Sequence, residues 1–334
     1  MRSWLGVIGI GVGLALVLGG CAAPAGSGGG PTMPGTASGT GSNPAVGATP
    51  ITIRIGTLQT DDILPLWAAA DDGTAAAAGL NLDIQTFASA QDQITAVTAG
   101  QIDAIMTDMV VPVQLSAAGT PMRAVTRLQG APAGIVAGAD AGITSLADLA
   151  GVAAGCASPT IMEYIYDKAL TDAGVPADQI KTEEIKKLPV RLQMLQSGNI
   201  AAAVLPWTLY SLAVQQGAVP LLGVDQAGPY SSTVLAFRDA WLTSTPDLAD
   251  IVARLLGVWD AAVAKIDADP NSYQRLLADK AQLPAPLDTT YQVRQYPTHA
   301  LPDQTQFESV VAWMLAKGYI SSSIAYADLV WTGA

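Results

Sequence analysis

Polar loops that follow apolar runs of strand length hold most of the residues able to do chemistry here. They are Thr57–Asp62, Thr107–Met109, Gln129–Gly130, Ser158–Thr160, Pro206–Trp207 and Tyr230–Ser231. Thr57, Gln59, Thr60, Ser158 and Thr160 offer hydrogen bonds without a fixed charge. Asp61 and Asp108 can receive an amine or a ring N–H. Gln129 and Tyr230 sit at two Gly/Pro-bearing crossing points. Backbone amides at a helix start near Thr160 suit an oxyanion. Trp207 offers a flat wall to an aliphatic chain, a ring or a cation. Each residue also has a plainer role. Ser158 suits a helix N-cap with Pro159 at the first helical position. Asp61, Asp62 and Asp108 can cap the helices that follow them, and Trp207 can cover a core. These loops show no obvious Arg or Lys, which argues against a simple inorganic anion.

Residues for covalent or metal chemistry are sparse. His299 is the only histidine, so a His metal cluster is excluded and a catalytic triad would rest on it alone. There is no Gly-Lys-Ser/Thr phosphate loop and no paired-Cys motif. Cys156 reads as a small buried residue. Gly9, Gly11 and Gly13 lie inside an apolar N-terminal run with no strand before them, so they are not a nucleotide loop. No cofactor or metal is expected, and the chain is read as a binder rather than an enzyme. With 16 basic and 28 acidic residues and a net charge of −12, nucleic acid is excluded as a partner.

The elements that position the loops carry an internal echo. Ala99–Met109 reads AGQIDAIMTDM and Ser197–Trp207 reads SGNIAAAVLPW. Each follows a helical segment, at Asp92–Thr98 and Val190–Gln196. Each places a small residue, Gly, an amide side chain, Ile and a short apolar run in that order. This predicts two similar α/β lobes. Pro206 is expected to stop the second strand and leave Trp207 in a loop. Asp108 and Trp207 are then expected to face one ligand from opposite lobes. Strands are predicted over Ile51–Gly56, Leu82–Phe87, Ala104–Met106, Met122–Leu128, Gly134–Ala137, Gly151–Gly155, Ile180–Ile185, Ile200–Leu205, Val219–Val224 and Ser231–Phe237. A long helix starts after Thr245-Pro246-Asp247, with Leu248, Ile251, Leu255, Val258 and Ala262 on one face. Crossing points at Gln129–Ala133 and Ala227–Tyr230 divide the body into 51–129, 130–228 and 229–334. The last part would rejoin the first lobe and add C-terminal helices.

The N-terminus carries its own signals. Arg2 precedes the apolar run Trp4–Gly20, which ends at Leu18-Gly19-Gly20-Cys21. A basic start and a short apolar run define a secretory signal over residues 1–20. Residues 22–50 are Ala, Gly, Ser, Thr and Pro-rich without any charge, and read as a flexible tether reaching roughly 30 Å.

The Leu-Gly-Gly-Cys sequence resembles the lipobox of bacterial lipoproteins, which implies a diacylated Cys21 on the extracytoplasmic face of the cell membrane. The whole order resembles the lipid-anchored substrate-binding proteins of ABC importers. That order is lipobox, tether, α/β lobe, crossing, second lobe, crossing and helical C-terminus. Within them it is similar to the type II group that binds alkanesulfonates, taurine, nitrate and thiamine-pyrimidine precursors. QITAVTAGQIDA (Gln93–Ala104), TSLADLAG (Thr144–Gly151), Ser158–Gly174 and Tyr296–Ile320 carry the likeness. The resemblance implies a two-lobed type II periplasmic binding protein fold with a hinged cleft. It implies a small-molecule ligand that is sulfonate, taurine-like or pyrimidine-like, and an ABC permease as partner. An extracytoplasmic sensor, or an enzyme on the same fold, stands as the alternative.

Overall fold

A computed structural model describes residues 50–128, 130 and 133–333. The signal-like leader, Cys21, the tether up to residue 49, and Gln129 lie outside them. Ten strands follow in order among the described residues: β1 (Ile51–Leu58), β2 (Leu80–Phe87), β3 (Ala104–Asp108), β4 (Met122–Arg127), β5 (Ala133–Ala137), β6 (Ala153–Cys156), β7 (Lys181–Glu184), β8 (Ala202–Pro206), β9 (Val219–Leu222) and β10 (Thr233–Arg238). They form two sheets, ordered β2-β1-β3-β10-β4 and β7-β6-β8-β5-β9. The fold is a two-lobed α/β arrangement with a helical C-terminus.

The two sheets are built alike. In each, three parallel strands are followed by two joined antiparallel ones. The echo segments supply the third strand of each sheet, β3 and β8. Each of these pairs with a strand entering from the other lobe: Thr233 lies opposite Asp108, and Ala133 lies opposite Pro206. Parallel pairing demands a crossover, and helices supply it. Ala90–Thr98 links β2 to β3, and Leu188–Gln196 links β7 to β8. Ser89 starts the first of these by accepting the Asp92 N–H at 3.2 Å.

Two local readings are corrected. Pro206 ends β8 from within, because its φ of −61° and ψ of 157° remain extended and a strand end can spare its missing N–H. Trp207 therefore opens the helix Trp207–Gln215 rather than a loop. The helix after β6 is capped by Thr160, not Ser158. Thr160 accepts the Glu163 N–H, and Ser158 lies outside the helix Ile161–Asp172. Thr160 and Glu163 stand in the Thr-x-x-Glu spacing of a helix start, which outweighs the Ser-Pro signal. After the helix Leu248–Ala268, a short turn, Pro270–Tyr273, leads into the helix Gln274–Ala281.

The C-terminal helices pack mainly on the helices of the first lobe. The helix Leu248–Ala268 buries Ile251, Leu255, Val258, Trp259, Ala262 and Ile266. That stripe packs on the helix Leu64–Asp71. Burying each Ile, Leu or Val fully stabilises by about 1.5–3 kcal/mol. No described helix is long and apolar enough to cross a membrane.

Candidate functional site

The carboxyl ends of β1, β2, β6 and β7 converge on a cavity of about 70 Å3, a few water volumes. Leu58, Ser89, Gln91, Ile94 and Gln114 line it from the first lobe. Ser158, Thr160, Met162, Lys186, Leu188 and Arg191 line it from the second. A larger depression of about 550 Å3 lies by Gly138 and Gly198, at the other end of β5 and β8. Its wall is mostly small and neutral, so the convergent chemistry belongs to the cavity between the lobes.

One wall of that cavity is basic. Arg191 is 1% exposed. Its Nε and Nη2 donate to the Ile185 carbonyl at 3.0 and 2.6 Å. Its Nη1 donates to the Val204 carbonyl at 2.7 Å and meets Met162 Sδ at 3.1 Å. None of these partners is a carboxylate. Burial lowers the Arg191 pKa, and Glu184 works against that shift. Lys186 stands 3.7 Å from Glu184, which also accepts the Ser158 N–H at 3.0 Å. Across the cavity, the Gln114 Oε1 is buried without a hydrogen-bond partner. Ile94, Leu58 and Leu188 supply apolar surface.

This wall corrects the expectation of a site without Arg or Lys, which rests on the loops after β1, β3, β6 and β8 and on the two crossings. The basic groups come from the turn after β7 and the helix that follows. IKKLPVR, Ile185–Arg191, concentrates three cations in an acidic chain at a strand end, and that was the available signal.

Of the expected site residues, Ser158 and Thr160 line the cavity. The others among the described residues do not line it. The buried Thr57 hydroxyl donates to the Leu58 carbonyl, and Gln59 donates to Gln282 at 2.6 Å. Thr60 is buried. Tyr230 donates its hydroxyl to Asp172 at 3.0 Å. Gln129 lies outside the described residues.

Asp61 and Trp207 do hold a cation, but it is the protein's own. The Asp61 carboxylate, 1% exposed, receives Arg294 Nε at 2.8 Å, Arg294 Nη2 at 3.0 Å and the Tyr291 hydroxyl at 2.5 Å. The Tyr296 hydroxyl donates to the Asp61 carbonyl at 2.8 Å. The guanidinium carbon of Arg294 lies 5.3 Å from the Trp207 ring centre. Trp207 in turn stacks on Tyr210 at 5.4 Å. Burial would lower the Arg294 pKa, but the Asp61 charge reverses this and raises it. Burial, then the Asp61 charge, pushes Asp62 up to about 6. Asp61 and Asp62 give no side-chain cap to the helix Leu64–Asp71.

Asp108 caps the helix Val110–Ala117. Its Oδ1 accepts the Val110 and Val111 N–H groups at 2.7 and 3.3 Å. The structure thus does not bring Asp108 and Trp207 together at this cavity. Burial pushes Asp108 up to about 6 despite those N–H groups. An acid whose folded pKa is raised costs stability as pH climbs from its unfolded value toward the folded one. Asp108→Asn keeps a capping oxygen and removes the charge. Its stability relative to the parent should therefore rise between pH 4 and pH 7, by on the order of 1 kcal/mol, since the site is not fully enclosed. Thermal melts at both pH values check this, and a difference independent of pH would remove the raised pKa from the account.

Cys156 is buried, and burial pushes its thiol up to about 12, so it stays protonated at neutral pH. His299 pairs with Asp260 at 2.7 Å. No group of three or more His, Cys, Asp or Glu suited to a metal occurs among the described residues.

Known proteins share this fold. A family model described as NMT1/THI5 like matches residues 60–272, more than half of the chain. The periplasmic aliphatic sulphonate binding protein SsuA from Escherichia coli has a similar structure, with a TM-score of 0.71, 17% identity, and 85% of this chain and 92% of that chain covered. The alkanesulfonate-binding protein SsuA from Xanthomonas axonopodis pv. citri, bound to MOPS, gives a TM-score of 0.71 at 17% identity, covering 85% and 99%. The desulfurization enzyme DSZB gives 0.62 at 16% identity, covering 84% and 96%. At such identities the likeness is one of fold. No curated protein matches the sequence.

Proposed function

Because this chain belongs to the NMT1/THI5-like family, we propose that it is an extracytoplasmic solute-binding lipoprotein. It captures a small organic anion of the sulfonate or taurine-like kind between two lobes and hands it to an ABC permease. The observation that carries this reading is the cavity walled by both lobes, with Lys186 and Arg191 on one side and Ile94 and Leu58 on the other. A pyrimidine-like amine is disfavoured, because Asp61 and Trp207 already hold Arg294. Closure follows when a ligand touching both walls binds the closed form better than the open one. The crossings at Gln129–Ala133 and Ala227–Tyr230 are the natural hinge, with 51–129 plus 229–334 as one lobe and 130–228 as the other. Cys21 would carry the lipid and hold the body at the membrane. The ligand is released unchanged.

The test uses the full chain with hexane-1-sulfonate, taurine and an aminopyrimidine. A true ligand at a hundred times its dissociation constant should stabilise the fold by about 2.7 kcal/mol. It should be recovered with its mass unaltered, and Cys21→Ala should release the protein from the membrane fraction. Absence of a thermal shift with every solute would sink the binding reading.

A further inference from the structure

The echo extends into the helices that precede it, and there the two lobes differ by one charge. Gln93 and Arg191 are separated by the same 98 residues as Ala99 and Ser197, Ile102 and Ile200, and Met106 and Val204. Both side chains run under the third strand of their sheet. Gln93 Nε2 donates to the Met106 carbonyl at 2.8 Å, and Arg191 Nη1 donates to the matching Val204 carbonyl at 2.7 Å. Each also ties a second strand: Gln93 holds Gly56 of β1, next to β3, and Arg191 holds Ile185, just past the edge strand β7.

The glycines beneath them match as well. A Cβ built on Gly56 would lie 3.4 Å from Gln93 Cγ and 2.5 Å from Ile102. A Cβ built on Gly155 would lie 3.2 Å from Arg191 Cγ and 2.6 Å from Ile200. The same space under the same strand is thus filled by a neutral amide in the first lobe and a guanidinium in the second. Both residues are almost wholly buried.

A neutral side chain therefore suffices for the scaffold. A buried guanidinium without a carboxylate hydrogen-bond partner costs stability, so its charge needs another reason to be there. Arg191 lines the interlobe cavity, whereas Gln93 does not. The Lys186 charge is partly offset by Glu184 at 3.7 Å, which leaves the wall net positive.

We infer that Arg191 is the residue that selects for ligand charge: it does the scaffold work of Gln93 and adds a cation that fixes an anionic head group against the second lobe. The apolar body of the ligand then points to Ile94 and Leu58 in the first. This rests on the solute-binding reading above, and deepens it by assigning the discrimination to one side chain.

The decisive variant is Arg191→Gln in the full chain, which copies the first lobe. Without any solute it should melt at or above the parent, because the buried charge is gone and a neutral amide remains to hold the strand. Calorimetry should show hexane-1-sulfonate binding at least about 100-fold more weakly than to the parent, the scale for truncating a buried charge partner. Arg191→Lys, which keeps the charge on a narrower head, should recover part of that loss. A variant that unfolds or melts well below the parent would make the charge structural and overturn the inference. So would sulfonate affinity within threefold of the parent's. If the parent binds only neutral or cationic solutes, the solute-binding reading survives and the role of Arg191 falls. If the parent binds none, the functional reading falls, and the ligand-free melt still decides whether the charge is surplus to the scaffold.

Discussion

Asp61→Leu should lower the unfolding free energy by about 3–5 kcal/mol, the range for removing one partner of a buried ion pair. The reason lies in what the carboxylate holds. It accepts two guanidinium N–H groups from Arg294 and the Tyr291 hydroxyl, and it is nearly sealed from water. Without it, among the described residues, Arg294 keeps Asp62 at 4.0 Å and the face of Trp207. Burial already opposes ionisation of Asp62, so it is a poor replacement. The Leu side chain also leaves the Tyr291 hydroxyl without its acceptor. Denaturant titration measures the loss, and a change under about 1 kcal/mol would contradict a buried, uncompensated Arg294. The double variant Asp61→Leu, Arg294→Met removes both charges and should recover more than half of the deficit, since apolar replacement of a whole buried pair is close to neutral.

That pair also shows where sequence reasoning reached and where it stopped. Asp61 and Trp207 are expected to face a ligand, and here they hold the protein's own Arg294. The partner lies 233 positions along the chain from Asp61, beyond any spacing rule. The echo of Ala99–Met109 in Ser197–Trp207 was legible because β3 and β8 occupy the same place in two like-ordered sheets. The buried stripe of Leu248–Ala268 was legible because one helix face repeats at helical spacing. The cavity wall was not, because the loops after β2 and β7 were passed over. Lys186 sits two residues beyond β7, and Arg191 lies on the helix that follows, where a buried cation looks like any polar residue on a helix. Pro206 misled for a different reason: a local rule for ending strands gave way to the pairing of β8 with β5.

The stack that Arg294 completes begins at a glycine. Gly134 lies in β5, opposite Leu205 of β8. A Cβ there would come within 2.6 Å of the Tyr210 ring and 2.7 Å of the Leu222 carbonyl oxygen. The ring can tilt, but the oxygen belongs to β9, which pairs with β5 and cannot retreat without opening that pair. Tilting Tyr210 in turn disturbs Trp207, which lies over it at an interplanar angle of 18° and carries Arg294 on its ring. Gly134→Ala should therefore destabilise the fold by about 1–3 kcal/mol, the cost of overpacking a close-packed interior. Gly138→Ala is the control: it stands just after the same strand, and its nearest neighbour would be 3.7 Å away, so it should change stability by less than about 0.5 kcal/mol. Because Gly134, Tyr210 and Trp207 do not line the cavity, Gly134→Ala should also weaken sulfonate binding only through the fit of the lobes. Paired melts and titrations of the two alanine variants separate these effects. Equal stability of both would show that the contact between Gly134 and Tyr210 carries no strain on substitution.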